Sequence, residues 1–272
     1  MAHLGIVTVG QAPRADIASQ FAALLPPGTR ITLRGCLDGA SASDIAAMAP
    51  AGGEDVLYTR LADGSDTTIA KRHAIARAPA TLDALRGDGA EAILFACTGA
   101  FPDGLGGPGV VFPSRLLAGI AAALVPQGRI GLLVPLAAQV TQLPRKWARP
   151  GVEVHAEPLI PSSGAQAAEE AARRLAAHRP DLVVMDCMSY TTIHRDAVRR
   201  VAGVPVLLAV TTMARIAAEL AGSAPRRCAR SRRKTSNPSP SGPGSSARAA
   251  ADHPTWACST CAASTPRAGA CG

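Results

Sequence analysis

The chain has 272 residues, 47% of them hydrophobic and only 3% aromatic, with a formal net charge of +8. That charge lies outside the part able to build a core: residues 1–222 hold 20 basic and 19 acidic side chains, and residues 223–272 hold 8 and 1. A near-neutral body with so few aromatics lacks the basic face and stacking platforms of a nucleic-acid binder, and its apolar runs fall far short of the roughly 20 residues of a membrane span.

In chain order, short apolar runs alternate with stretches of helical spacing, the pattern of parallel strands covered by helices. Strands are predicted at Leu4–Val9, Arg30–Arg34, Ala92–Ala96, Gly109–Phe112, Arg129–Val134, Glu153–Ala156, Leu182–Met185 and Pro205–Ala209. Helices are predicted at Asp16–Leu25, His73–Arg86, Ser114–Leu124, Ala165–His178, His194–Val201 and Thr211–Leu220. The second half repeats the first in outline. The expected fold is therefore α/β, with two similar parallel-sheet lobes, helices on both faces and a cleft between them. Lobe one takes about 1–110 plus 206–222, and lobe two about 111–205.

From Ser223 onward there is no Leu, Ile, Val, Phe, Met or Tyr. Such a segment cannot bury a core and is expected to be disordered. It reads equally as a genuine basic tail or as out-of-frame translation of GC-rich coding sequence. The N-terminal Met1-Ala2-His3 enters an apolar strand without a charged leader region, so a cytoplasmic protein is expected.

Of seven cysteines, four lie in the tail, leaving Cys36, Cys97 and Cys187 at wide spacing. An odd number so spaced argues against a disulfide scaffold, and the lone Cys258/Cys261 pair lacks the second pair that a zinc site needs. No metal and no cofactor are expected. Cys97 and Cys187 each follow an apolar strand and precede small or hydroxyl residues. In open α/β sheets ligands bind at the carboxyl ends of strands, so these thiols are the candidate catalytic groups. Two thiols on opposite sides of a substrate can run a two-base proton transfer, and the competing reading of each is a buried cysteine packing as a small hydrophobe.

The candidate binding residues are those near the same strand ends. Thr98 and Gly99 follow Cys97, and backbone amides there suit a carboxylate. Asp186 precedes Cys187, and His194 follows it by seven residues; the alternatives are a loop cap and a surface helix residue. Gly10, Gln11 and Arg14 form the turn after the first strand, where Arg14 either pairs with a substrate carboxylate or with Asp16. Ser114 and Arg115 form a second such turn, with Ser114 equally readable as a helix cap.

These residues resemble the AroM family, and more distantly the aspartate/glutamate/hydantoin racemase superfamily. The resemblance runs over about residues 4–222 and rests on Thr8-Val9-Gly10-Gln11-Ala12-Pro13-Arg14, Gly52-Gly53-Glu54-Asp55, Pro113-Ser114-Arg115, Met185-Asp186-Cys187 and the final Ala214–Leu220 segment. It implies a racemase-like two-lobed fold with the site between lobes and the last helix returning to the first. Glutamate racemases typically carry Cys-Asn-Thr and Gly-Cys-Thr-His, whereas this chain reads Cys97-Thr98-Gly99 and Asp186-Cys187-Met188, which leaves the substrate open. The expected activity is a cofactor-independent racemase or isomerase acting beside a carboxylate. The alternatives are a non-catalytic small-molecule binding or regulatory protein and a single-cysteine lyase or decarboxylase. The expected partner is a small carboxylate ligand, with no nucleic acid and no membrane, and a homodimer is compatible with the sequence.

Overall fold

A computed structural model describes residues 2–221, so the expectations for residues 223–272 lie outside the described residues. The first lobe runs β1 (His3–Thr8), α1 (Ala15–Ala22), β2 (Arg30–Gly35), α2 (Ala42–Ala47), β3 (Val56–Arg60), β4 (Asp66–Ala70), α3 (Lys71–Gly87), β5 (Ala92–Phe95) and β6 (Val110–Val111). Helix α4 (Pro113–Leu124) leads into the second: β7 (Gly128–Val134), a 3₁₀ turn at Ala137–Gln139, α5 (Pro144–Trp147), β8 (Val152–Pro158), α6 (Ala165–Ala176), β9 (Leu182–Met185), α7 (Thr192–Ala202), β10 (Val206–Leu208) and α8 (Ala209–Leu220). Among the described residues no helix is long and apolar enough to cross a membrane.

Each lobe holds a four-stranded parallel sheet, ordered β2-β1-β5-β6 in the first and β8-β7-β9-β10 in the second. Counted within its own lobe, each order is second, first, third, fourth. The registers match as well. Gly5 faces Ile93 and Val7 faces Phe95 in the first sheet, as Gly131 faces Val183 and Leu133 faces Met185 in the second. Both glycines meet close neighbours: a Cβ on Gly5 would lie 3.0 Å from the Ala90 Cβ, and one on Gly131 would lie 3.3 Å from Leu175 Cδ1.

The central strands are apolar along their length because both faces are covered, as parallel sheets require. Leu4, Ile6 and Leu94 pack on one face into a core shared with the second lobe, while Val7, Ile93 and Phe95 pack on the other face against α3. Phe95 there stacks with Phe112 at a ring-centroid distance of 5.2 Å and meets Phe101 tilted at 4.6 Å. Helix α8 returns to the first lobe, where Ala217 and Leu220 lie over Leu4, Ala92 and Leu94.

The two lobes differ in their insertions. Between its second and third strands the second lobe has only α6, whereas the first has α2, the antiparallel hairpin β3–β4 and α3. Neither α2 nor the hairpin is expected from apolar periodicity, because both are short and half polar. Their signals are local: Ser41 and Asp44 form a capping box at α2, and Asp63-Gly64-Ser65 turns the hairpin, with Gly64 at φ +86°, a left-handed conformation that glycine adopts freely.

Candidate functional site

Past the last paired residue of each central crossover strand, the chain leaves the sheet in the same way twice. The Ala96 N–H donates to the Val7 carbonyl at 2.6 Å, and the Asp186 N–H to the Leu133 carbonyl at 2.9 Å. Cys97 and Cys187 follow these residues and so occupy equivalent positions in the two lobes. Both line one cavity of ≈ 200 Å³. Its wall also takes Thr8 from the end of β1, Pro135 after β7, and hairpin residues Leu57, Tyr58 and Thr59.

Hydrogen bonds tie the two lobes together around this cavity. Thr98 Oγ1 donates to the Asp186 carbonyl at 2.9 Å, and Arg14 Nη2 donates to Ser189 Oγ at 2.9 Å. Gln139 Nε2 reaches across to the Val56 carbonyl of the hairpin at 3.1 Å.

Of the sequence-predicted residues, Arg14, Cys97, Thr98, Gly99, Asp186 and Cys187 are brought together on the cavity wall. Arg14 is 3% exposed and spends its donors on the protein itself: Nε and Nη2 on the two Asp16 oxygens at 2.9 and 2.8 Å, Nη1 on Thr8 Oγ1 at 3.2 Å. Gly99 keeps the wall open, since a Cβ there would lie 3.2 Å from Leu57 and 3.5 Å from the Cys97 sulfur.

Gly10, Gln11, Ser114, Arg115 and His194 are not on that wall. Gly10 lies under the hairpin, where a Cβ would come within 2.2 Å of the Arg60 carbonyl oxygen and 2.3 Å of Thr59 Oγ1. The Gln11 amide donates to the Leu37 and Ala40 carbonyls and accepts from the Ala62 N–H, joining three loops. Ser114 is buried in the first turn of α4, and Arg115 pairs with Asp103. His194 is buried at the start of α7, its Nδ1 accepting from the Thr191 N–H at 3.1 Å and its Nε2 2.7 Å from the Ser163 carbonyl.

Asp186 is the most buried charged side chain at the site, with 0% side-chain exposure. A bare carboxylate there would cost several kcal/mol, and two neighbours meet it. Lys146 Nζ lies 3.1 and 3.0 Å from its oxygens, and Trp147 Nε1 donates to Oδ2 at 3.1 Å. Lys146 spends its remaining donor on the Thr98 carbonyl at 2.6 Å.

Burial pushes the Cys97 thiol up to about 12; the Gly99 N–H and Lys146 favour its thiolate, while Cys187 and Asp186 oppose it. Burial likewise pushes Cys187 up, to about 11, with the Ser189 N–H and hydroxyl and Arg14 favouring the thiolate and Asp186 opposing it. Asp16 is partly buried, which works against its charge, yet the Arg14 guanidinium outweighs this and holds the carboxyl below its usual range. Among the described residues no group of three or more His, Cys, Asp or Glu is placed to hold a metal ion.

Lys146 and Gln139 escape sequence reasoning because they sit on a four-residue helix and a 3₁₀ turn, elements too short for periodicity to show. Ser189 is one of the hydroxyl residues that follow Cys187 in the sequence, a signal that marks the turn without singling Ser189 out from Thr191 and Thr192.

The family model described as AroM protein matches residues 4–221. Among solved structures, an unliganded arylmalonate decarboxylase aligns with a TM-score of 0.56 at 16% identity, covering 83% of this chain and 94% of its own. The maleate isomerase Iso from Pseudomonas putida S16 aligns with a TM-score of 0.52 at 13% identity, covering 80% and 92%. Glutamate racemase from Francisella tularensis subsp. tularensis SCHU S4, in complex with D-glutamate, aligns with a TM-score of 0.51 at 16% identity, covering 80% of each chain. Likeness at this identity shows a shared two-lobed racemase fold. No curated protein matches the chain.

Proposed function

This chain belongs to the AroM family, and from that premise we propose that it is a cofactor-independent, two-cysteine racemase or isomerase acting on a small carboxylate or amino-acid-type substrate. The observation that carries this reading is the placement of two thiols at equivalent strand ends of two lobes, both on the wall of one cavity. Structural relatives whose names include a glutamate racemase with D-glutamate and a maleate isomerase support the substrate class.

In this reading one sulfur enters as thiolate and takes the proton from the carbon beside the substrate carboxyl. The C–H bond breaks, an S–H bond forms, and the electron pair moves into the carboxyl group. The opposing thiol then gives its proton to the other face of the same carbon, forming the new C–H bond and leaving a thiolate. The configuration inverts, no electrons are lost or gained, and the two sulfurs have exchanged protonation states. General acid–base groups of this kind contribute about 10²–10⁴-fold in rate.

Deuterium uptake at Cα, followed by NMR over a panel of amino acids, hydantoins and small carboxylates, tests the reading. Wild type should exchange at least one of them, and Cys97→Ser and Cys187→Ser should each slow that exchange by about 10²-fold or more. A ligand that binds in the cavity while none of the panel exchanges would replace this reading with a non-catalytic binding protein.

A further inference from the structure

We propose that the two lobes activate one another: Arg14 of the first lobe, working through Ser189, and Lys146 of the second are positioning residues, each holding its donors so as to favour the thiolate carried by the opposite lobe. The inference rests on the reading of Cys97 and Cys187 as the reacting pair, but its argument and its test concern the thiols alone.

The Arg14–Ser189 link spans 175 positions in the chain and is buried. A serine hydroxyl has one proton to donate and two lone pairs to accept with. Because Arg14 Nη2 occupies a lone pair of Ser189 Oγ at 2.9 Å, the hydroxyl proton is turned away from the guanidinium. Cys187 stands two residues before Ser189 on the same cavity wall, and the Ser189 hydroxyl and N–H both favour its thiolate, as donors to the charged form of a group do. Arg14 cannot drift from this position, since Asp16 grips it through two oxygens and Thr8 accepts from the third nitrogen.

The first lobe's thiol is served from the other side. Lys146 donates to the carbonyl of Thr98, the residue directly after Cys97, at 2.6 Å. Asp186 holds the same ammonium at 3.0 and 3.1 Å, and Thr98 Oγ1 closes the loop by donating to the Asp186 carbonyl. Lys146 is only 14% exposed on its side chain, so its charge is poorly screened by water.

Around Cys187 the charged and titratable groups are Arg14, Asp186, Cys97 and Tyr190, and around Cys97 they are Lys146, Asp186 and Cys187. Tyr58, Asp55 and Lys71 line the same cavity, the last two paired with each other. Asp186 opposes both thiolates, whereas Arg14 favours that of Cys187 and Lys146 that of Cys97, and each of these two cations belongs to the lobe facing the thiol it serves. Neither thiol is complete until the lobes have docked.

The test is the pH dependence of iodoacetamide alkylation on the full-length chain, with labelling at each cysteine resolved by peptide mass spectrometry. Ser189→Ala should lower the Cys187 rate at about pH 8.5 by about tenfold, the change in thiolate fraction for one unit of acidity, while leaving the Cys97 rate unchanged. Ser189→Thr should restore it. Arg14→Gln should act on Cys187 in the same direction, and Lys146→Gln should slow Cys97 without slowing Cys187. If Arg14→Gln fails to fold, Arg14→Lys takes its place and should slow Cys187 selectively, and Lys146→Gln, at the residue that reaches from the second lobe toward Cys97, decides the cross-lobe question beside it. An unmoved Cys187 profile in Ser189→Ala, or equal shifts of both thiols in every variant, would overturn the proposal. Because alkylation does not depend on turnover, a protein that racemises nothing but shows these selective shifts would remove the proposed activity and leave the cross-lobe arrangement standing.

Discussion

The first and second lobes share a strand order, a buried glycine in the leading strand and a cysteine two residues past the same register point. They part company one residue before the thiol, where the first lobe has Ala96 and the second has Asp186. A methyl group there needs nothing. A carboxylate with no exposure needs Lys146 and Trp147, and α5 exists in the second lobe to supply them. Two similar backbones can thus present the same reactive atom in unlike surroundings, with both sulfurs pushed up by burial but different neighbours favouring each thiolate: Gly99 and Lys146 for Cys97, Ser189 and Arg14 for Cys187.

The largest test of this contrast is Asp186→Ala. It strands Lys146 against the cavity, and breaking a buried pair by removing one partner costs about 3–5 kcal/mol, read as a lowered urea midpoint. Asp16→Ala, which removes the first lobe's carboxylate from beside a buried cation, should cost less, about 2 kcal/mol, because Asp16 is 20% exposed and Arg14 keeps Thr8 and Ser189 as acceptors. A larger loss from Asp16 than from Asp186 would break the comparison.

Next in size is Gly10→Ala. Three residues beyond Val7, Gly10 corresponds to Leu136, three beyond Leu133. The second lobe tolerates a leucine there because it has no hairpin overhead, whereas a Cβ on Gly10 meets the Arg60 carbonyl at 2.2 Å. The expected loss is about 1–3 kcal/mol. Gly131→Ala, facing only the flexible ends of Leu175 and a proline ring at 3.3–3.4 Å, should cost no more than about 1 kcal/mol in the same denaturation assay.

Alkali should weaken the fold through its thiols. Burial favours the neutral thiol, so below pH 9.0 both folded and unfolded chains hold the proton, and above it the unfolded chain ionises first. Stability then falls as pH rises from 9.0 toward about 11 for Cys187 and about 12 for Cys97. Urea midpoints measured on either side of that onset should fall less steeply in Cys97→Ser and Cys187→Ser. Part of the slope should survive in the double variant, because Cys36, also pushed to about 12 by burial, acts in the same direction.

The smallest effects concern the helix starts. His194→Ala removes the reciprocal cap of α7 together with the Nε2 contact to the Ser163 carbonyl and should cost about 1–2 kcal/mol by thermal melting. Ser41→Ala at the exposed capping box of α2 should cost about half of that.

The strands were legible because a parallel strand buried on both faces writes itself as an unbroken apolar run, as Ile130–Val134 and Leu182–Met185 do. The thiols followed from those strand ends. The hairpin was not legible, since its residues alternate too weakly, and with it went the reason for Gly10. His194 looked like a ligand or a surface residue, yet its place three residues after Thr191 is that of a capping box. Lys146 is illegible in principle: whether a lysine on a one-turn helix meets an aspartate 40 positions away depends on how two loops cross in space.

The return of α8 to the first sheet has a consequence for how the molecule is made. Leu4, Ala92 and Leu94 are covered in part by Ala217 and Leu220, so the first lobe to leave the ribosome is the last to be finished. Its early strands wait with an open apolar face until residues 209–220 arrive. Contacts of that sequence separation slow folding, and an uncovered face in the interval invites association with other chains. The second lobe, contiguous in the chain, can close its own sheet first and serve as the template on which the first is completed.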